Sequence, residues 1–217
     1  MARQERAVRT RNALIESAAE LFDRDGFEVA SLTTISARAG VSNGALHFHF
    51  SNKAALADAV WEAAAQRLRR ITARRTAHPL QCLIDATHAL CRGLGNDAVL
   101  RAGFELCHAQ QKTRGDETLR ESWQRWVEDV LAQADAEGAL VPDVTARDAA
   151  ATVVAATMGF ETLSGQDNRW LSHHTVTRFW TLLLPRLAEE SIRETLVVGG
   201  SQPTGADEHR YPGSTKD

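Results

Sequence analysis

Between Thr10 and Arg24 the apolar residues Leu14, Ala18, Leu21 and Phe22 recur at i, i+4, i+7 and i+8, a spacing that gathers them on one face of an α-helix. Gly26 ends that helix. A second, shorter helix is predicted from near Thr33, whose hydroxyl can cap free amides. Ile35 and Ala39 point inward there, and Gly40 closes the helix as a left-handed residue. A third follows over Asn43–Phe50, burying Leu46 and Phe50. Asn52 then caps a long fourth helix that runs towards Arg75, where His78-Pro79 breaks the chain.

Past that break, helical patterning covers 79–94, 97–110, 116–137, 146–164 and 173–195, joined by short Gly- and Asp-bearing connections. Residues 199–217 hold four Gly and two Pro among polar residues, a composition that favours disorder. The expected fold class is therefore all-α. Residues 1–52 form a three-helix N-terminal unit with a basic arm, 53–196 a second helical domain, and 197–217 a structureless tail.

The block TTISARAGVSNGALHFHF, Thr33 to Phe50, places a short helix, a Gly40 turn and a second short helix in succession, which is the helix-turn-helix arrangement. Val41 is the apolar turn residue that sets the angle between them. Ser42 and Asn43 open the second helix, where side chains, free amides and the helix dipole favour a phosphate or a base edge. Gly44 and Ala45 are small enough for close approach to a groove, and His47 and His49 offer polar tips. A helix of this kind leads into the major groove with its N-terminal residues.

Charge supports this reading. The chain has 217 residues and a net charge of -3, but residues 1–75 carry 12 Lys and Arg against 8 Asp and Glu, and the remainder 13 against 20. A basic N-terminal part on an acidic body suits a polyanion partner. No apolar run approaches the roughly 20 residues of a membrane span, and no apolar segment follows the basic N-terminus as in a signal peptide. A bacterial cytoplasmic protein, associated with the nucleoid and not with a membrane, is expected. Cys82, Cys91 and Cys107 lack metal-type spacing and read as free thiols. No GxSxG, HExxH or phosphate-loop pattern is present, so neither an enzyme nor a cofactor is expected. His47 and His49, two apart on a helix, point to different sides and do not chelate together.

AGVSNGALHFHF followed by Lys53 and Leu56 resembles the TetR family of transcriptional regulators, tightly over about residues 9–60. The resemblance implies a homodimeric repressor that binds a near-palindromic DNA operator and is released by a small-molecule effector. It also implies phosphate contacts from Lys53 and Thr33. Arg3, Arg6, Arg9 and Arg11, opposed only by Glu5, are expected to form a mobile arm near the duplex. Two residues depart from the family pattern. Asn43 stands where a lysine is usual, which should flatten the salt dependence of binding by about one unit. His47 stands where a tyrosine is usual, either as a neutral donor in place of the phenol or as a source of pH dependence.

All five tryptophans lie beyond the helix-turn-helix, and Trp123 and Trp126 share one side of a helix. Core packing and an aromatic-lined cavity are both open uses of that pair. MARQERA, GALHFHF and NDAVLRAGFEL (Asn96 to Leu106) resemble the γ-butyrolactone receptor subgroup, whose members regulate antibiotic biosynthesis. That resemblance implies Trp123 as a ligand platform, with Trp126, Phe104, Met158 and Thr162 around it. Phe160 follows Gly159 where those relatives carry a threonine, which favours a flatter or more aromatic ligand such as an antibiotic or its intermediate over a butyrolactone. The small residues of Arg147 to Gly159 suit a helix-packed dimer face together with 173–195, setting the recognition helices about 34 Å apart. A DNA-binding activator or architectural regulator without a ligand is the alternative, favoured if Trp123 proves solidly packed.

Overall fold

The computed structural model describes residues 2–74, 76–106 and 117–201. Among these the regular elements are helical, with one isolated antiparallel bridge between Leu140 and Ala188. The N-terminal unit comprises α1 (Ala2–Asp25), α2 (Leu32–Arg38) and α3 (Asn43–His49), and α4 (Lys53–Thr72) leads out of it. The second unit is built from α5 (Pro79–Asn96), α6 (Ala98–Leu106), α7 (Leu119–Ala136), α8 (Ala146–Ser164) and α9 (His173–Leu187). A 3-10 turn at Asn168–Leu171 precedes α9, and a short α10 (Glu190–Arg193) follows it.

The apolar stripe of α1 does what its spacing predicts. Leu14, Ala18, Leu21 and Phe22 are buried against Ile35, Leu46, Phe50, Leu56 and Val60, each large side chain contributing roughly 1.5–3 kcal/mol. Several boundaries differ from expectation. α1 starts at Ala2, because no Gly or Pro interrupts the chain before Gly26; the basic segment forms its first turns and is not a separate arm. Ser31, not Thr33, caps α2, its Oγ accepting the Thr34 N–H at 3.1 Å. Gly40 takes the left-handed φ of +67° that closing this helix requires. Asn52 caps α4 as predicted, accepting the Ala55 N–H at 2.8 Å.

α9 ends eight residues early, with Pro185 in its last turn. Ala188 turns extended and pairs with the α7–α8 connection, where Val141 N–H donates to Leu187 O and Glu189 N–H to Ala139 O. Val197–Ser201, expected to belong to the tail, lies against α5 and α9. Gln81 bonds both the N–H and the carbonyl of Val197, and Asp85 accepts the Ser201 N–H at 2.8 Å. Residues 202–217, the 107–110 end of the predicted sixth helix, and Cys107 lie outside the described residues.

The two units meet on α6. α4 crosses it at Gly103, where an added β-carbon would lie 2.2 Å from that of Ala64. α1 meets it through Arg101, whose guanidinium forks onto Asp23 at 2.8–3.0 Å and donates to Leu94 O at 2.8 Å. The last turn of α1 is thereby tied to the second unit by a bidentate, charge-assisted contact.

Candidate nucleic-acid interface and effector cavities

α3 is seven residues long and is capped by Ser42, whose Oγ accepts the Ala45 N–H at 3.2 Å. Leu46 and Phe50 anchor it in the core. Residues 46 and 50 lie 40° apart on a helical wheel, so position 48 faces the opposite way. Phe48 is accordingly 82% exposed. Its i−4 neighbour Gly44 leaves a flat spot beside it, and Asn43 and His47 complete an outward face through the same i, i+4 relation. Sequence reading had singled out the histidines and passed over Phe48, although the inward pair 46/50 already fixed its direction.

Asn43 is exposed but held from below, its Oδ1 2.5 Å from the hydroxyl of buried Ser36, which leaves its Nδ2 donors unpaired. His47 is exposed, whereas His49 is half-buried, with the Phe48 and Phe50 ring centroids 5.2 and 6.4 Å away. Thr33 is exposed one residue into α2, and Ala45 is half-buried. Arg6 and Arg9 project from α1, Arg9 only 3.8 Å from Glu5, while Arg11 lies over the Phe50 ring at 5.2 Å. Arg3 lies in the first turn of α1, and its side chain is outside what is described.

Lys53, expected at a phosphate, is engaged within the protein. Its ammonium donates to the carbonyls of Phe27, Glu28 and Ala30 at 2.8, 3.1 and 3.1 Å and stands 4.4 Å from the Phe27 ring centroid. An ammonium has three N–H donors. All three are used to close the α1–α2 loop onto the start of α4, so none remains for a phosphate.

Among the described cavities, none gathers the six residues expected around one ligand. Trp123 is fully buried, its Nε1–H donating to Thr157 Oγ1 at 3.0 Å, and Phe104 is fully buried too. Phe160 is buried, 5.7 Å from the Phe179 ring, and Met158 is half-buried. Around α8 position 160 lies about 200° from both 158 and 162, so Phe160 faces away from the side that Met158 and Thr162 share. Thr162 lines a separate cavity of about 640 Å³ beside the Arg101–Asp23 contact, where Arg120 pairs with Glu161 at 2.7 Å.

Trp126 carries the aromatic surface instead. It stacks on Trp123 at 5.2 Å and walls a cavity of about 530 Å³ between α4 and α7, facing Trp61 and Leu68 of α4. Trp61 Nε1 and Glu117 Oε1 at this cavity are buried without hydrogen-bond partners, a costly state for polar atoms. In the second half of α4, Arg67 pairs with Asp97 at 2.9 Å and Arg69 with Glu62 at 2.6 Å. Cys82 and Cys91 are buried free thiols, and burial pushes Cys91 up to about 12, which removes its thiolate chemistry at neutral pH. Among the described residues no helix is long and apolar enough to cross a membrane.

The comparisons agree with this geometry. The A-factor receptor protein of Streptomyces griseus is 29% identical over 196 residues, covering 88% of this chain and 68% of that protein. A solved γ-butyrolactone receptor described as ArpA-like superposes with a TM-score of 0.75 at 29% identity, covering 89% of this chain and 96% of the other. CprB from Streptomyces coelicolor, solved in complex with its biological operator sequence, superposes with a TM-score of 0.72 at 28% identity over 88% and 94% of the two chains. The model of the bacterial regulatory proteins of the tetR family matches residues 14–60, the stretch that contains the helix-turn-helix and the start of α4. With relatives of this kind over most of its length, the chain belongs to the TetR family.

Proposed function

We propose that this protein is a homodimeric repressor that binds a near-palindromic operator through α3 and is released by a small molecule. The observation that carries the reading is the outward face of Asn43, Gly44, His47 and Phe48. A phenyl ring left 82% in solvent, on a helix whose other side is anchored in the core, calls for a partner surface. The chain's likeness to CprB, which was solved on its operator, supports DNA as that partner. Arg6, Arg9, Thr33, Ser42 and Ala45 flank the same end and supply backbone contacts. Lys53 acts by positioning only.

α8 and α9 form the dimer face. Ala151, Thr152 and Ala155 on α8 are exposed and small, and Leu182 on α9 is 75% exposed. The effector is a γ-butyrolactone-like signal, an antibiotic or an antibiotic intermediate, a reading supported by the A-factor and γ-butyrolactone receptors among its relatives. It enters beside Trp126, against α4, where separation of α4 and α7 shifts the recognition helices. The protein is a cytoplasmic regulator and not an enzyme, in keeping with relatives that are receptors and regulators.

Selecting bound fragments from genomic DNA and measuring their anisotropy tests this reading. Nanomolar, salt-sensitive binding of a two-fold symmetric site is expected, and it should weaken at least tenfold with an active γ-butyrolactone or pathway intermediate as Trp fluorescence is quenched. Failure to bind any duplex at low salt would sink the reading. Phe48 has its own test, because an apolar side chain in the major groove meets the thymine methyl. Phe48→Ala should weaken operator binding about tenfold, a loss of about 1.4 kcal/mol. Replacing the contacted thymine by uracil should weaken the wild type similarly and leave the variant unchanged. Additive losses would place Phe48 away from that methyl.

A further inference from the structure

A third cavity, of about 450 Å³, opens between α5, the 3-10 turn and the start of α9. Its polar lining is one-sided. Arg92, Arg169, His88, His173, Asn96 and Asn168 face it, and no Asp or Glu lines it. The cavities beside Trp126 and Thr162 each balance arginines with carboxylates. Arg92 makes no ion pair among the described residues. Arg169 pairs with Asp167 at 2.7 Å on the outer rim. Cys91, Leu171 and Val176 provide an apolar floor.

The two imidazoles are held in defined states by the chain's own C-terminal segment. A carbonyl only accepts, so His88 Nε2–H donates to Val198 O at 2.9 Å and His173 Nε2–H to Gly199 O at 2.8 Å. Each ring therefore keeps Nδ1 for another partner. The rings lie 4.7 Å apart, and neither makes an ion pair among the described residues. Burial, the neighbouring His173 and Arg92 hold His88 below the ordinary imidazole range, against the opposing effects of its Val198 bond and of Asp85. Asp85 is itself engaged by Ser201.

We propose that this cavity binds a small amphiphile with an oxyanion head, the head on Arg92 and the His88–His173 pair and the apolar body on the Cys91–Leu171–Val176 floor. The volume falls within the roughly 300–1,000 Å³ of ordinary ligand sites, and guanidinium is the side chain suited to planar carboxylate or phosphate heads. The site is distinct from the Trp126 cavity and does not depend on operator release. An anion there adds negative charge on the cavity side of the rings, opposite Asp85, and draws a proton onto His88 Nδ1, so binding tightens as pH falls. The groups facing His88 and the bound head are Arg92 and Asp85 on α5, the His173 imidazole on α9 and Arg169 on the 3-10 turn.

The full chain is titrated with octanoate, octyl phosphate, neutral octanamide and inorganic phosphate, following the imidazole nitrogen signals of His88 and His173 and the thermal midpoint. Octanoate or octyl phosphate should shift both imidazoles, raise the midpoint and bind several-fold tighter at pH 6 than at pH 8; the stronger of the two identifies the head group. Arg92→Gln, at an exposed position that preserves the fold, should weaken binding tenfold or more. Octanamide binding equally well, or an affinity unchanged in Arg92→Gln, would overturn the proposal. So would inorganic phosphate alone matching the amphiphiles, since the apolar floor would then contribute nothing.

Discussion

Gly103→Ala should cost this protein about 3 kcal/mol, the upper end of the overpacking range, and with it most of its operator affinity. The added β-carbon would meet the Ala64 β-carbon at 2.2 Å and Leu119 Cδ1 at 3.0 Å. Leu119 can rotate, but Ala64 has no rotamer to change and is fixed to α4. The helices must therefore part by more than 1 Å, roughly the shortfall from ordinary carbon contact at 3.5–4.0 Å. α4 follows directly on α3 and bears Trp61 near its middle, one turn before Ala64, so a displacement at Gly103 moves the recognition surface as well as loosening the core. Ala64→Gly in the same chain should restore the space, at about 1 kcal/mol of helix propensity. Denaturant midpoints and operator anisotropy on the two single variants and the double variant check this. A Gly103→Ala protein with wild-type midpoint and affinity would show that the α4–α6 crossing is slack.

Such a contact was not legible beforehand. Helical periodicity identified α1, α3, α4 and their inward residues because each depends only on neighbours three and four positions away. Gly103 sits in the middle of VLRAGFEL, where a glycine reads as a weak point in a helix; its purpose is set by Ala64, thirty-nine positions earlier in the chain. The six residues expected around a ligand are spread over different described surroundings for a related reason. Trp123 and Trp126 were correctly put on one side of α7, yet a three-residue step leaves 60° between them. That angle is enough to bury Trp123 against Thr157 and turn Trp126 towards α4. The basic segment misled through composition, since Arg3 to Arg11 look like an unstructured arm until the absence of any helix breaker before Gly26 is weighed. The clasp of Val197–Ser201 by Gln81, Asp85, His88 and His173 spans more than a hundred residues for α5 and carried no local signal.

Lys53→Met separates positioning from phosphate binding. Methionine keeps most of the stem over the Phe27 ring but has no N–H, so the carbonyls of Phe27, Glu28 and Ala30 lose their shared donor together. Charged hydrogen bonds of this kind are worth about 1.5–3 kcal/mol each when buried. The Glu28 bond is exposed and water can replace it, and the other two are only part-buried, so the expected loss is about 3 kcal/mol overall, the lower end for two such bonds. The loop that ends at Ser31, the cap of α2, should loosen, and amide exchange in 26–31 should accelerate before that of α4. Operator affinity falls in this account because fewer molecules hold α2 and α3 in register, not because a phosphate contact is gone. The dependence of log K on log salt should therefore keep its slope, whereas loss of a phosphate-bound lysine flattens it by about one unit. Arg6→Gln and Arg9→Gln are the counterpart: on the exposed face of α1 they should flatten the slope and leave the denaturant midpoint where it was. If Lys53→Met lowered the salt slope with no change in midpoint, the ammonium would have to leave its three carbonyls for the duplex, and the clamp would be a feature of the free protein alone.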